Sequence, residues 1–302
     1  MRAEFLDGLA ELAHNDPRVV LITADLGFGS IEVFAEQHPT RFFNLGVTEQ
    51  AIVGVATGLA EGGYLPYCYS IASFSIARTF EFLRNGPIAH RFPVVVVGIG
   101  PGLDYSFDGL THFALEDIGL VGGQPETTII APVDGASARR FAANGIDHAG
   151  LTYFRLARNV PPSQTEHFLA RSIDTSCLVL GFGDSSAKSI EISSKLSTHG
   201  IAASVRMVDI LNEGSLLAIV ETLIKSQVRV LVTVENHYVS GGFGTMIADA
   251  LMAQNWRGSL VKWGVEKLPV GPLGDSKFVI EKYCTPVSTI LDRVLSSVEI
   301  LR

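Results

Sequence analysis

Asn44-Leu45-Gly46-Val47-Thr48-Glu49-Gln50, running on into Ala51 to Glu61, decides how this chain is read. Arg41-Phe42-Phe43-Asn44-Leu45 has the composition of a short strand, and the Gly- and Ala-rich run behind it that of a helix over Thr48–Glu61. One carboxylate, Glu49, therefore stands at a strand-to-helix junction. An isolated acid in a first helical turn does no more than answer the positive end of the helix dipole. A second polar signal further along, Asp108-Gly109-Leu110-Thr111-His112, gives Glu49 a companion.

Outward from that junction, apolar strands alternate with helices. Val19–Ala24, Val94–Ile99 and Thr127–Ala131 read as buried strands, and Arg2–Asn15, Ala77–Asn85 and Gly135–Asn144 as helices, the last with Asp134 as N-cap. Uniformly apolar strands between helices indicate a parallel sheet covered on both faces. Near Asn159–Glu166 two prolines among polar neighbours interrupt the pattern. It restarts with strands at Cys177–Gly183, Ala202–Val208 and Val230–Val234 and amphipathic helices between them. The expectation is an α/β chain of two domains, 1–160 and 175–302, joined by a linker at 161–174. Its 302 residues, 47% hydrophobic and 18% charged, suffice for two well-buried cores.

Composition excludes several classes. A net charge of −8 offers no basic surface to nucleic acid or an anionic membrane. Cys68, Cys177 and Cys284 are far apart and odd in number, which fits neither a metal site nor a disulfide framework and points to a reducing compartment. No apolar run reaches the roughly 20 residues of a membrane span. Met1–Asp7 carries acids where a signal peptide has its apolar core, so the expected location is cytoplasmic. No metal ligand set is expected within the chain.

Three further segments reach the edge where open α/β sheets bind ligands. His112, after Asp108-Gly109, lies in the loop that follows Val94–Ile99. Gly181-Phe182-Gly183-Asp184-Ser185 lacks the third glycine of a dinucleotide fingerprint and the Gly-Lys-Ser/Thr of a P-loop, and reads as a plain turn. Val234-Glu235-Asn236-His237 with Ser240-Gly241-Gly242-Phe243-Gly244 ends a strand; its glycines suit either a ligand or a bend before a helix at Thr245–Ala253. Tyr69, Phe74 and Phe80 lie where a strand enters a helix, a place where aromatic residues are commonly core.

Taken together, Gly46-Val47-Thr48-Glu49-Gln50, then Ser70-Ile71-Ala72-Ser73-Phe74 with Arg78, Glu81 and Arg84, then Asp108-Gly109-Leu110-Thr111-His112 resemble the pyrimidine-binding domain of transketolases in order and spacing. The tail, with Val234–His237 and Gly241–Gly244, resembles the transketolase C-terminal domain, so the likeness covers about residues 3–300. The resemblance implies a thiamine-diphosphate fold and a cofactor that supplies a C2 carbanion for attack on a ketose carbonyl. It implies that Glu49 hydrogen-bonds N1′ of the aminopyrimidine and promotes the 4′-imino form that takes the C2 proton. Such a carboxyl wants a dry site, with which Phe42, Phe43, Leu45, Ala51 and Ile52 are compatible. By the same resemblance Phe74 stacks on the pyrimidine ring, Ile71 stands where many relatives have a second aromatic, and Arg78 joins the cofactor site. Asp108 and His112 contact hydroxyls near the donor carbonyl, with His112 suited to proton traffic near neutral pH. Arg158 matches a substrate-phosphate arginine, although a linker salt bridge is an equal reading of it.

Two departures shape the expectation. The diphosphate-binding half, with its Gly-Asp-Gly motif and later Asn on a divalent ion, is missing, and Gly183-Asp184-Ser185 is not it. The chain thus resembles the second subunit of a split transketolase, active with a diphosphate-binding partner that holds magnesium or calcium, in a heterotetramer of two chains of each kind. A histidine that sugar-phosphate transketolases carry before this loop falls at Gly100, which opens the way to a modified sugar. The β subunit of a 2-oxo acid dehydrogenase is the alternative, against which the Asp108–His112 loop weighs. A deoxyxylulose phosphate synthase fragment and a non-catalytic subunit are further readings.

Overall fold

A computed structural model of the chain describes residues 1–146, 150–158, 160, 173 and 175–300, and the backbone of 166–167. The expected linker at 161–174 lies almost wholly outside the described residues. Strands in chain order are β1 (Val19–Thr23), β2 (Phe42–Asn44), β3 (Leu65–Ile71), β4 (Val94–Ile99), β5 (Thr128–Ile130), β6 (Leu151–Leu156), β7 (Glu166–His167), β8 (Cys177–Phe182), β9 (Ala203–Val208), β10 (Ile210–Leu211), β11 (Val230–Tyr238) and β12 (Ser259–Val265). They form a seven-stranded sheet, β10-β5-β6-β4-β3-β1-β2, and a five-stranded sheet, β12-β11-β8-β9-β7. Every pairing is parallel except β10 on β5. β1, β3, β4, β6 and β8 are buried at every position, as strands covered by helices on both faces must be.

The helix behind the opening stretch runs Glu49–Glu61 with Thr48 as N-cap, its hydroxyl bound to Leu45 O at 2.9 Å. Asp134 caps Gly135–Asn144, accepting from Ser137 N at 2.8 Å in a reciprocal capping box. The helix expected at Ala77–Asn85 is instead three pieces: Ala72–Ile76, Phe80–Leu83 and a π turn over Arg84–Ile88. Pro87 lies inside that turn, and a residue without an N–H cannot keep a regular α-helical ladder. Val230–Val234 continues as strand to Tyr238, so Glu235, Asn236 and His237 are strand residues rather than loop.

The two sheets share their cores. One apolar cluster joins Ile52, Val53 and Val96 to Leu178, Leu231 and Phe243. Another draws Leu103, Phe113 and Leu115, which follow β4, into the packing of β8, β11 and β12. The antiparallel edge strand of the first sheet comes from Ile210–Leu211, beyond β9. No helix among the described residues is long and apolar enough to cross a membrane.

Candidate active site

Parallel pairing brings the carboxyl ends of β2, β3, β4 and β6 to one edge, and each delivers a side chain there. Glu49 opens the helix after β2; Phe74 and Arg78 follow β3; Tyr105, Asp108 and His112 follow β4; Arg158 follows β6. Glu49 is only 4% exposed and its Oε2 accepts from Arg78 Nη1 at 2.7 Å. The Arg78 guanidinium lies 4.2 Å from the centre of the Phe74 ring. Phe74 and His112 have ring centres 5.1 Å apart, and His112 and Tyr105 5.6 Å. Arg158 sits 4.6 Å over the Tyr105 ring. Glu49, Arg78, Phe74, His112, Tyr105 and Arg158 thus make one continuous row.

The far end of that row opens on a cavity of about 240 Å³ lined by Arg158, Arg2, Ser30 and residues of the first helical turn. Arg158 N donates to Asp104 Oδ2 at 2.8 Å, which fixes its backbone. Asp108 is exposed on the loop, one short 3₁₀ turn (Gly109–Thr111) before His112. Thr111 Oγ1 lies 2.9 Å from His112 Nδ1, leaving Nε2 for another partner. Ile71 ends β3, mostly buried. Beneath Glu49 a small cavity is lined by Ile52, Val53 and Ser70, whose hydroxyl is buried without a partner.

Sequence reasoning missed Tyr105 and Arg2. Tyr105 carries no motif; its signal is Gly100, where φ is +67° and an added Cβ would lie 2.2 Å from the Tyr105 ring. The ring therefore fills the space over Gly100. Arg2 lies far away in sequence and arrives only because the first helix packs beside the sheet.

Behind the row lies a buried polar network between the sheets. Arg155, 1% exposed, donates Nε to Asp117 Oδ2 at 2.8 Å and Nη2 to Asn236 O at 2.6 Å, with Asp184 Oδ1 3.4 Å from Nη1. Tyr153 OH also donates to Asp117 Oδ2, at 2.7 Å. Asp184 accepts from Asn236 Nδ2 at 2.9 Å, so Gly183-Asp184 serves this network. Burial, and then the nearby Asp184, raises the Asp104 carboxyl above its ordinary value. Burial holds His237 below the usual imidazole range.

Glu235 caps the helix Phe243–Ala253, accepting from Phe243 N at 2.6 Å and Gly244 N at 2.9 Å. Burial nevertheless pushes its carboxyl from 4.5 up to about 7. A carboxyl raised by folding contributes stability that is full below its unfolded value and lost as pH rises through the folded one. Glu235→Gln stays neutral throughout, so its melting temperature should gain on the wild type between about pH 5 and about pH 8. Melting curves at both pH values check this; a difference that does not change with pH contradicts it. Among the described residues no group of three or more His, Cys, Asp or Glu side chains could hold a metal ion.

The family description "Transketolase, pyrimidine binding domain" matches residues 1–163. A putative uncharacterized transketolase family protein of Sinorhizobium fredii is 32% identical over 83% of this chain and 75% of its own length. The 6-deoxy-6-sulfo-D-fructose transketolase subunit SqwH of Clostridium sp. is 29% identical over 94% of this chain and 89% of its own. A solved structure described as a split gene transketolase, inactive beta4 tetramer, superposes with a TM-score of 0.81 at 28% identity, covering 100% of this chain and 98% of that one. The chain belongs to the transketolase family. Its α/β fold, and its likeness to subunits of split transketolases across nearly its whole length, agree with the resemblance drawn from Glu49, Phe74 and the Asp108–His112 loop.

Proposed function

We propose that this chain is the pyrimidine-binding subunit of a two-component, thiamine-diphosphate-dependent transketolase that moves a two-carbon ketol unit from a ketose to an aldose. The row from Glu49 to Arg158 carries this reading: an acid, a flat ring, an imidazole and an arginine stand side by side at one sheet edge. The residues fit the cofactor. A planar N–H donor, the Arg78 guanidinium, already lies on the Phe74 ring and donates to Glu49, the pair of contacts that an aminopyrimidine makes. The unpartnered Ser70 hydroxyl beside Glu49 offers a further polar contact, and Ile71 an aliphatic wall.

When bound, thiamine diphosphate supplies a nucleophilic carbon for the ketose carbonyl. Glu49 holds a proton against the ring nitrogen in a site from which water is excluded. Arg78, now on Glu49, yields the carboxylate to the ring and stays at the edge of the pocket. Asp108 and His112 take the hydroxyls of the ketose, His112 being held between Phe74 and Tyr105. Arg158 and Arg2 face the common cavity and suit the anionic end of a sugar phosphate or another acidic sugar.

The diphosphate and its divalent cation, magnesium or calcium, belong to a partner subunit, and two chains of each kind form a heterotetramer. Phe28, Val47 and Phe107, 68%, 71% and 73% exposed on loops at the same sheet edge, are apolar side chains that such a partner would cover. We place the assembly in the cytoplasm. Mixing the chain with its diphosphate-binding partner, cofactor and magnesium tests the reading. Ketol transfer from a ketose supports it; oxidative decarboxylation of 2-oxo acids, or ketol transfer by this chain alone, overturns it.

Substitution at the anionic end separates binding from chemistry. Arg158→Ala should raise KM for an acidic sugar by about tenfold or more, the loss of one charged hydrogen bond, with kcat nearly unchanged. Steady-state kinetics with an acidic and a neutral sugar check this; equal effects on both contradict the assignment.

A further inference from the structure

The loop that carries Asp108 and His112 leaves the first sheet after β4 but is held by the second. Its neck is closed by Gly102 N to Ala114 O at 2.8 Å and Ala114 N to Gly102 O at 3.1 Å. Directly beside that neck, Leu103 N donates to Asn236 Oδ1 of β11 at 3.1 Å. Gly102 has φ +61°, and an added Cβ there would lie 2.2 Å from Asn236 Cγ, so side chain and neck are in close contact. Asn236 is itself fixed: its Nδ2 donates to Asp184 Oδ2 at 2.9 Å and its carbonyl accepts from Arg155 Nη2 at 2.6 Å.

The apolar contacts agree. Leu103, Phe113 and Leu115, on both sides of the neck, pack with Val179, Val234, Val261 and Trp263 of the second sheet. At the tip, Gly109 lies against the end of the Leu273 side chain, whose Cδ1 would be 2.7 Å from an added Cβ. The loop therefore belongs to the first sheet by sequence and to the second by packing.

We propose that Asn236 is a positioning residue for this loop, so that the second sheet sets where Asp108 and His112 stand. The part of this that concerns the ketose rests on the transketolase reading above. Asn236 touches neither cofactor nor substrate; it acts through Leu103 and the neck. Pyrimidine binding uses Glu49 and Phe74 on other elements, so it should change far less than ketose binding when Asn236 is lost.

The test compares wild type, Asn236→Ala and Leu273→Ala, each alone and assembled with the diphosphate-binding partner, thiamine diphosphate and magnesium. Hydrogen–deuterium exchange over residues 103–112 is read in the chain alone. Losing the Asn236 bond should speed exchange there about tenfold, while exchange in β1 and β3 stays as it was. In the assembly, KM for the ketose should rise about tenfold and the dissociation constant of thiamine diphosphate should hold within about twofold. Leu273→Ala loosens the same loop from its tip and decides the matter should Asn236→Ala fail to fold. Unchanged exchange over 103–112 in Asn236→Ala, or in Leu273→Ala where Asn236→Ala does not fold, overturns the proposal. So does a loss of cofactor affinity that matches the change in KM, because that is general loosening. An assembly without ketol transfer removes the proposed reaction, while the exchange data still decide what holds the loop.

Discussion

Glu49→Gln should leave the fold intact and lower ketol-transfer turnover of the assembled enzyme by about two to four orders of magnitude, the usual worth of a positioned proton-transfer group. Gln has the shape of Glu and can still accept from Arg78 Nη1, which now lies 2.7 Å from the carboxylate. What it cannot do is take and hold a proton at the ring nitrogen. Losing the charge also frees Arg78 from its ion pair, so stability should move by no more than about 1 kcal/mol in either direction, since Arg78 is 42% exposed. Turnover and thermal melting measured together check both halves. Near-normal turnover in the variant contradicts the role of Glu49, and a collapsed melt makes it a structural residue instead.

Arg155→Met should be the most destabilising single change outside the sheets' apolar cores. The guanidinium is 1% exposed and lies between the buried Asp117 and the partly buried Asp184, with the Asn236 carbonyl as a third partner. Removing it leaves two carboxylates without their cation in a low dielectric, a loss of about 3–5 kcal/mol. For a chain of 302 residues that lowers the melting temperature by roughly 5–8 °C. Arg155→Lys keeps the charge but not the fork that reaches three acceptors, and should fall between the two. Thermal melts of the three proteins decide; a Met variant that melts like wild type contradicts the account of how the sheets are joined.

Much of this was legible in the sequence, for definite reasons. Val94–Ile99 is a run of unbroken apolar residues, and burial on both faces of a parallel sheet is what such a run means. Glu49 was legible because strand, glycine and Thr48 announce a helix start. Phe74, His112 and Arg158 were legible only as members of a family pattern, since nothing local sets them apart. Their convergence in one row comes from the parallel register of β3, β4 and β6, which no spacing along the chain encodes. Tyr105 and Arg2 escaped because each acts through a neighbour distant in sequence. The π turn at Arg84–Ile88 escaped because Pro87 acts on residues that precede it. Asn236 read as part of a strand end and became a clasp on another element only when the sheets came together.

The measurement that bears most directly on the central claim is the rate at which the C2 hydrogen of thiamine diphosphate exchanges with solvent in the assembled enzyme, with no sugar present. If Glu49 governs the aminopyrimidine, exchange is fast in the wild type and slower by about two to four orders of magnitude in Glu49→Gln, with cofactor still bound. Equal exchange rates in the two proteins contradict it.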